Sequence, residues 1–378
     1  MGSMHRAEGV VLECRPLGGG VWRLAVDVDG TVRRALLYEQ LAPKPAPGDR
    51  VVLNTAAVDL GLGTGGFDFV VHVAGRRPAR AGRPESPRAS GRPVRGHIMK
   101  LRYTPLQTPV AAVEEEASPY HHVLASRRDL DGMPVVVVSL HSQLAPAAAA
   151  LRLALGAGAT IVYVMTDGAA LPIGFSDTVR DLRRLGVVDK TVTAGHALGG
   201  DVEAVTLFSG LLAARWVLGA AAAVVGMGPG VVGTGTPFGT TAVEVGQYAD
   251  AASLLGGRVF AAPRLSFADP RPRHRGVSHH TLTAFGLVAQ RRCTLALPRL
   301  PCARRELVRR QLAAAGVYAR HDVVEEHRGR AALEWLAAAG VPLRSMGRGP
   351  GQEEALFLAA AAAGFLAADR AAGAKWRS

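Results

Sequence analysis

Met133-Pro134-Val135-Val136-Val137-Val138-Ser139-Leu140-His141-Ser142 holds an unbroken β-branched run that stops abruptly in polar groups. A strand this uniformly apolar has no solvent-facing side, so it predicts burial on both faces, which parallel sheets obtain from covering helices. Similar runs recur at 160–166, 191–194, 221–226 and 258–262. Helical spacing fills 144–155, 176–185, 202–218, 241–255 and 282–290 between and after them. A further strand at 294–297 and helices at 303–314, 331–339 and 352–367 carry the pattern to the C-terminus. The expected fold is α/β, a mostly parallel sheet with helices on both faces, over residues 96–378.

Upstream the pattern is different. Short strands are expected at 8–14, 21–28, 31–38, 50–54 and 67–74, and Asp29-Gly30 is the strongest hairpin signal because both positions favour positive φ. Few helical periods interrupt them, which predicts a small N-terminal antiparallel β-barrel over residues 1–75. Residues 76–95 are Pro, Arg, Gly and Ser with almost no apolar side chains, and form the expected linker.

The net charge is +13, and it is concentrated. Between Gly75 and Arg102 nine basic residues face the single acid Glu85, a net +8 that leaves +5 for everything else. Such a segment is able to contact phosphate backbones, but a solvated linker explains it more simply. Three scattered cysteines (Cys14, Cys293, Cys302) give no disulfide framework. No basic-then-apolar leader is visible, and the longest apolar stretch, 211–227, carries Arg215 and is too short for a membrane span. The expectation is a soluble, reduced, cytoplasmic protein with no membrane partner.

In open parallel sheets, ligands sit beyond the carboxyl ends of the strands. Five successive ends carry His141, then Asp167-Gly168, then His196 with Asp201 and Glu203, then the glycine run 226–239, then Asp269 through His280. The opposite ends hold ordinary helix-stop glycines such as Gly156, Gly186 and Gly219. His141, Asp167 and His196 are therefore expected to converge as a general acid/base set, joined by His279.

Gly228-Pro-Gly230-Val-Val-Gly233 matches a dinucleotide fingerprint by spacing, but its helix starts too late and no acid ends the next strand. Those grounds weigh against a nicotinamide site, and Gly61-Leu-Gly63-Thr-Gly-Gly66 is a turn because a strand follows it. Gly228, Gly230, Gly233 and Gly235, with Thr236, instead suit an anion cradled by backbone N–H groups and hydroxyls, clamped by Arg275. The competing explanation is that these glycines merely permit close packing. No H-x-E-x-x-H, CxxC or paired-Asp spacing indicates a metal, and His279 and His280, adjacent at a helix start, should point apart, so no metal ligand is assigned and the cofactor is unknown. Glu114-Glu115-Glu116 beside His121-His122 is best explained as a solvated helix start.

Taken together, Gly61–Gly66, His97-Ile-Met-Lys-Leu-Arg-Tyr-Thr-Pro-Leu-Gln107, Met165-Thr-Asp-Gly168, Gly228-Pro-Gly230 with Gly233-Thr-Gly-Thr236, and His274-Arg-Gly-Val-Ser-His-His280 resemble the bacterial domain-of-unknown-function family 3866 over nearly the whole chain. The resemblance implies an intracellular bacterial protein and brings no activity with it. Three functions remain: an enzyme of hydrolase or transferase type acting on a small phosphorylated or nucleotide-like anion, a ligand-sensing or nucleic-acid-binding regulator using the barrel and linker, and an assembly protein that forms homo-oligomers through the barrel.

Overall fold

A computed structural model describes residues 5–61, 65–74 and 96–374 of the chain. It divides into two compact units, Met1–Ala111 and Ala112–Ser378. The basic stretch 76–95 and Gly63 of the first glycine motif lie outside the described residues.

The first unit is a closed five-stranded barrel of β1 (Arg6–Gly18), β2 (Val21–Val28), β3 (Thr31–Tyr38), β4 (Arg50–Asn54) and β5 (Asp68–Val73), with a short helix α1 (Ala56–Asp59). Its order is β1-β2-β3-β5-β4, antiparallel except for the parallel β3–β5 pair. Asp29 and Gly30 both have positive φ, 50° and 83°, as the tight β2–β3 turn requires. Val11, Leu24, Val26, Leu37 and Leu53 fill the interior. A two-stranded hairpin of β6 (Ile98–Lys100) and β7 (Thr108–Val110) belongs to the same unit.

The second unit is an α/β layer structure. Its strands in chain order are β8 (Pro134–Val138), β9 (Ile161–Thr166), β10 (Lys190–Ala194), β11 (Val202–Ala204), β12 (Ala222–Met227), β13 (Arg258–Ala262), the small pair β14 (Leu265–Ser266) and β15 (Gly276–Val277), then β16 (Thr294–Pro298) and β17 (Asp322–Glu326). Its helices are α2 (His121–Ser126), α3 (Leu144–Leu155), α4 (Asp177–Arg184), α5 (Leu207–Trp216), α6 (Glu244–Leu254), α7 (His279–Thr283), α8 (Cys302–Ala314), α9 (Val317–Arg320), α10 (Gly329–Ala338) and α11 (Pro350–Ala374), the last kinked at Glu353. Eight strands form one sheet in the order β11-β10-β9-β12-β8-β13-β16-β17, and every neighbouring pair is parallel.

The valine run of β8 shows why both faces are covered. Val136 and Val138 pack with Leu144, Leu182 and Phe357 on one face, while Val135 and Val137 pack with Leu211, Val245 and Phe285 on the other. Alternation of side chains along a strand makes this division unavoidable. Alanines let the covering helices approach closely. At Gly364 of α11, an added Cβ would lie 2.3 Å from the Ala147 carbonyl oxygen of α3.

Two strands of the large sheet differ from the sequence expectation. The helix expected over 202–218 is a strand, β11, followed by α5, because Val202–Ala204 pairs with β10 and Thr206 starts the helix anew through a reciprocal cap with Ser209. Asp322–Glu326, not anticipated as a strand, closes one edge of the sheet as β17. Its charged, exposed residues hid it, and such charges are usual on an edge. Among the described residues, no helix is long and apolar enough to cross a membrane.

Gly364→Ala should lower stability by about 1–3 kcal/mol, since the α3–α11 backbones have no room to part cheaply. Gly158→Ala, which meets nothing within 4 Å, should stay within about 0.5 kcal/mol of wild type in the same urea titration.

Candidate functional site

Chain direction places the site. From β8 through α3, β9 and α4 to β10, the chain steps one way along the sheet, with its helices on the Val136 face. From β11 through α5, β12 and α6 to β13 it steps the other way, with its helices on the Val135 face. The loops leaving β9, β12, β8 and β13 therefore part to opposite sides, the arrangement at which open parallel sheets take up ligands.

His141, after β8, is tied into this region at both ring nitrogens. Nδ1 lies 3.2 Å from the Met227 carbonyl at the end of β12, and Nε2 lies 2.6 Å from Ser176 Oγ. Ser176 also caps α4 by accepting from the Val179 N–H. Only Nδ1–H is able to donate to a carbonyl, so Nε2 carries the lone pair and the Ser176 hydroxyl donates to it. Tyr163 adds a hydroxyl that donates to the Gly226 and Met227 carbonyls, each at 3.1 Å. Burial pushes the His141 imidazole down from 6.5 to about 4, outweighing the bond to Met227.

Asp167, after β9, accepts the backbone N–H of His196, after β10, at 2.9 Å. The two loops are thus joined by a carboxylate-to-backbone bond. Asp201 accepts from the Thr191 N–H and hydroxyl, and Glu203 from the Thr193 hydroxyl and the Gly199 N–H, so both acids fasten their own loop. Beside Asp167, Thr166 donates to Tyr248, which donates to Glu244 Oε2. An added Cβ on Gly168 would lie 2.4 Å from that carboxylate oxygen, and this acid was not picked out from the sequence. Glu114 and Glu115 accept from the Val205 and Ala112 N–H groups and fasten backbone near β11.

The glycine loop after β12 closes on itself. The Thr234 N–H donates to the Gly239 carbonyl, Thr234 and Thr236 hydroxyls lie 2.9 Å apart, and the Gly239 N–H donates to Thr236. No α-helix N-terminus follows the glycines directly; Thr240 caps a 3-10 turn at Thr241–Val243 first. Several glycines are demanded by packing. An added Cβ on Gly228 would lie 2.5 Å from the Ala170 carbonyl oxygen, and one on Gly233 would lie 3.2 Å from Thr240 Oγ1 and 3.5 Å from His280 Nε2. Gly230 and Gly235 have positive φ, 103° and 85°, and Gly230 faces open space.

The loop after β13 carries the densest polar structure. The Asp269 side chain is fully buried and accepts from Arg271 at 2.8 and 2.9 Å and from Arg348 at 3.3 Å, with Arg264 at 3.5 Å. Bonds to Arg271 hold its carboxyl well below the usual carboxylate range despite burial. Glu353 in α11 accepts from Ser266 at 2.8 Å and from Arg348 at 2.7 Å. Gln143 links β8 to this loop, accepting the Ser139 and Leu140 N–H groups and donating to the Ala262 and Pro263 carbonyls.

On this framework sit three histidines. Their ring centroids are 5.0 Å (His274–His279), 5.0 Å (His274–His280) and 4.3 Å (His279–His280) apart. Adjacent His279 and His280 do not diverge as the sequence suggested. Both occupy the first turn of α7, whose side chains lean toward the helix N-terminus, and a 3-10 turn at Pro272–His274 brings the third ring to meet them. Ser278 fixes the group, capping the His280 N–H and lying 2.8 Å from His274 Nδ1. Burial and then Arg264 push His274 down to about 3. Burial and His279 push His280 to about 3. Burial and Arg273 lower His279 as well. All three shifts favour the neutral imidazole.

Arg273, rather than Arg275, stands over the glycine loop, its guanidinium carbon 3.6 Å from an added Cβ on Gly235. Both arginines are exposed, and the Arg275 backbone carbonyl accepts from Gln311. The structure thus brings Gly233, Gly235 and the Thr234–Gly239 turn against Arg273 and the His274–His279–His280 group. His141 joins the loop where it leaves β12, and Asp167 with His196 lies at the next two strand ends. Three arginines and three histidines within 271–280 were the available signal, and the sequence reading took Arg275 as the clamp where Arg273 is the one that lies beside Gly235.

The pattern described as "Protein of unknown function (DUF3866)" matches residues 34–364 of the chain. No curated protein matches it.

His141 sets a pH dependence of folding. Its folded value, about 4, lies below the ordinary 6.5, so an unfolded chain takes up the proton first. Its neutral form therefore contributes stability in full above about pH 6.5, and loses it as pH falls toward about 4. In urea titrations across that window, His141→Gln should flatten the fall in stability by at most ~1.4 kcal/mol per pH unit. A slope equal to wild type would show that His141 titrates normally.

Proposed function

We propose that this chain, which belongs to the DUF3866 family of proteins of unknown function, binds a small phosphorylated or nucleotide-like anion where the 228–239 loop meets the 269–280 segment. The observation that carries this reading is Arg273 over Gly235, beside three neutral imidazoles and the exposed turn of the loop. Arginine offers a planar, permanently charged fork suited to phosphate or carboxylate oxygens. Much of the surrounding charge is already paired, since Asp269 and Glu353 engage Arg264, Arg271 and Arg348.

The chemistry that fits is hydrolysis or group transfer. Burial beside cations keeps the His274 and His280 lone pairs free but makes these two rings weak bases, so the proton acceptor in this scheme is His279. His141, hydrogen-bonded at both nitrogens, acts in this scheme as a positioning residue for the loop leaving β12 rather than as the base. Gly228 and Gly233 let the loop approach its neighbours, and Gly235 with Thr236 shapes the turn beneath Arg273.

A second reading, a ligand sensor or nucleic-acid-binding regulator built on the barrel, draws on its cation–aromatic contacts. Arg23 and Arg34 lie over Phe67 at 5.5 and 4.9 Å, and Lys44 lies over Trp22 at 3.9 Å. Ring faces covered by the protein's own cations are poor platforms for stacking bases, so the anion site in the α/β unit is preferred.

In a thermal-shift series with chelator present, phosphate, pyrophosphate or a nucleoside monophosphate should raise the unfolding temperature, as a ligand at 100 times its Kd adds about 2.7 kcal/mol. Arg273→Ala should weaken the effective ligand at least ~10-fold, and Arg275→Ala should leave it unchanged. No shift with any of these anions, or equal shifts in wild type and Arg273→Ala, would overturn the assignment.

A further inference from the structure

We infer that His274, His279 and His280 form a three-nitrogen binding site for a zinc-class divalent cation, open on its fourth side toward the 233–240 loop. The candidate ligand atoms all lie within 4.8 Å of one another. His279 Nε2 is buried and has no hydrogen-bond partner among the described residues. A buried imidazole nitrogen without a partner is costly in a folded protein, and a cation removes that cost. The surrounding bonds already fit ligand duty at one ring. His274 Nδ1 is engaged by Ser278, leaving Nε2 to coordinate, which is the arrangement that orients metal-bound histidines.

His280 requires one adjustment. Its Nδ1 faces the Arg264 guanidinium at 3.4 Å, so in the metal-free protein Nδ1 accepts and Nε2 carries the proton. Coordination through Nε2, which faces Gly233, shifts that proton to Nδ1 and releases a bond already at the long limit. Tetrahedral zinc with Zn–N near 2.0–2.1 Å wants nitrogens about 3.4 Å apart, so the rings must close by roughly an ångström. His279, the most exposed of the three, has the freedom to do so.

The donor set decides the class of ion. Three imidazoles with no carboxylate among them suit zinc, cobalt or copper, and do not suit magnesium or calcium, which demand oxygen. Three protein ligands with an open position also mark catalytic rather than structural zinc. Arg264, Arg271 and Arg273 oppose a bare cation here, while Asp269 and Glu353 offset part of that charge. An anion as fourth ligand supplies the remainder, and this last step rests on the anion reading above, whereas the three-histidine site does not.

The test uses the full chain, stripped with chelator and titrated with Co2+ and Zn2+. Expected are one metal per chain and the visible absorption of four-coordinate cobalt, displaced by zinc. His279→Ala and His274→Ala should each weaken binding at least tenfold, while His327→Ala, altering an exposed histidine, should not. Should either variant fail to fold, the cobalt spectrum of the wild type still decides, because His274, His279 and His280 are the one cluster of metal-ligating side chains found among the described residues. Wild type with no such spectrum, or His279→Ala binding as tightly as wild type, overturns the site. Phosphate added to each form separates the two ideas. Phosphate binding to metal-free protein that gives no cobalt spectrum keeps the anion reading and removes the metal. A cobalt spectrum that phosphate neither perturbs nor competes with, in a protein that binds no phosphate, does the reverse.

Discussion

Crossovers between parallel strands of one sheet share a single hand, and the central geometry of the α/β unit follows from that constraint. A chain that steps in one direction must lay its helices on one face, and must change faces when it reverses. Here the reversal falls between β9, β12, β8 and β13, so the loops leaving these four strands diverge. Divergence leaves the carboxyl ends to loops and to the short helix α7. The glycine loop and the Arg273–His280 segment lie at those ends, and their polar groups meet there although about forty residues separate them in sequence.

Holding such a site together takes buried charge. Asp269 gathers Arg264, Arg271 and Arg348, and Arg348 passes the connection to Glu353 in α11. A buried carboxylate with several arginines contributes little net stability compared with an apolar cluster, yet losing one member strands the others. Its use is geometric. It fixes the loop after β13 against the start of α11, and burial there, with the nearby cations adding to it, disfavours protonation of the adjacent histidines.

The sheet was legible because its signal is local. Four consecutive valines have few ways to be buried, and their alternation between two cores follows from strand geometry alone. β17 was not legible, since an edge strand exposes one side and its charges look like those of a loop. The site divides along the same line. That polar groups crowd the carboxyl ends could be seen from the order of segments. Which arginine reaches the glycine loop, or that two neighbouring histidines converge, depends on a 3-10 turn and on the Ser278 cap, and neither leaves a periodic trace. Glu244 was missed for a different reason, as an acid in the first turn of a helix usually needs no more explanation than the helix dipole.

The closed hydrogen bonding of the 233–240 turn has one more consequence. Because Thr234, Thr236 and Gly239 satisfy one another, the loop gains its shape during folding and has little freedom left to surrender when something docks. Glycine-rich segments usually trade adaptability for an entropic toll on each encounter. In the proposed anion site this one would act instead as a preformed wall, and discrimination there would rest on fit and charge.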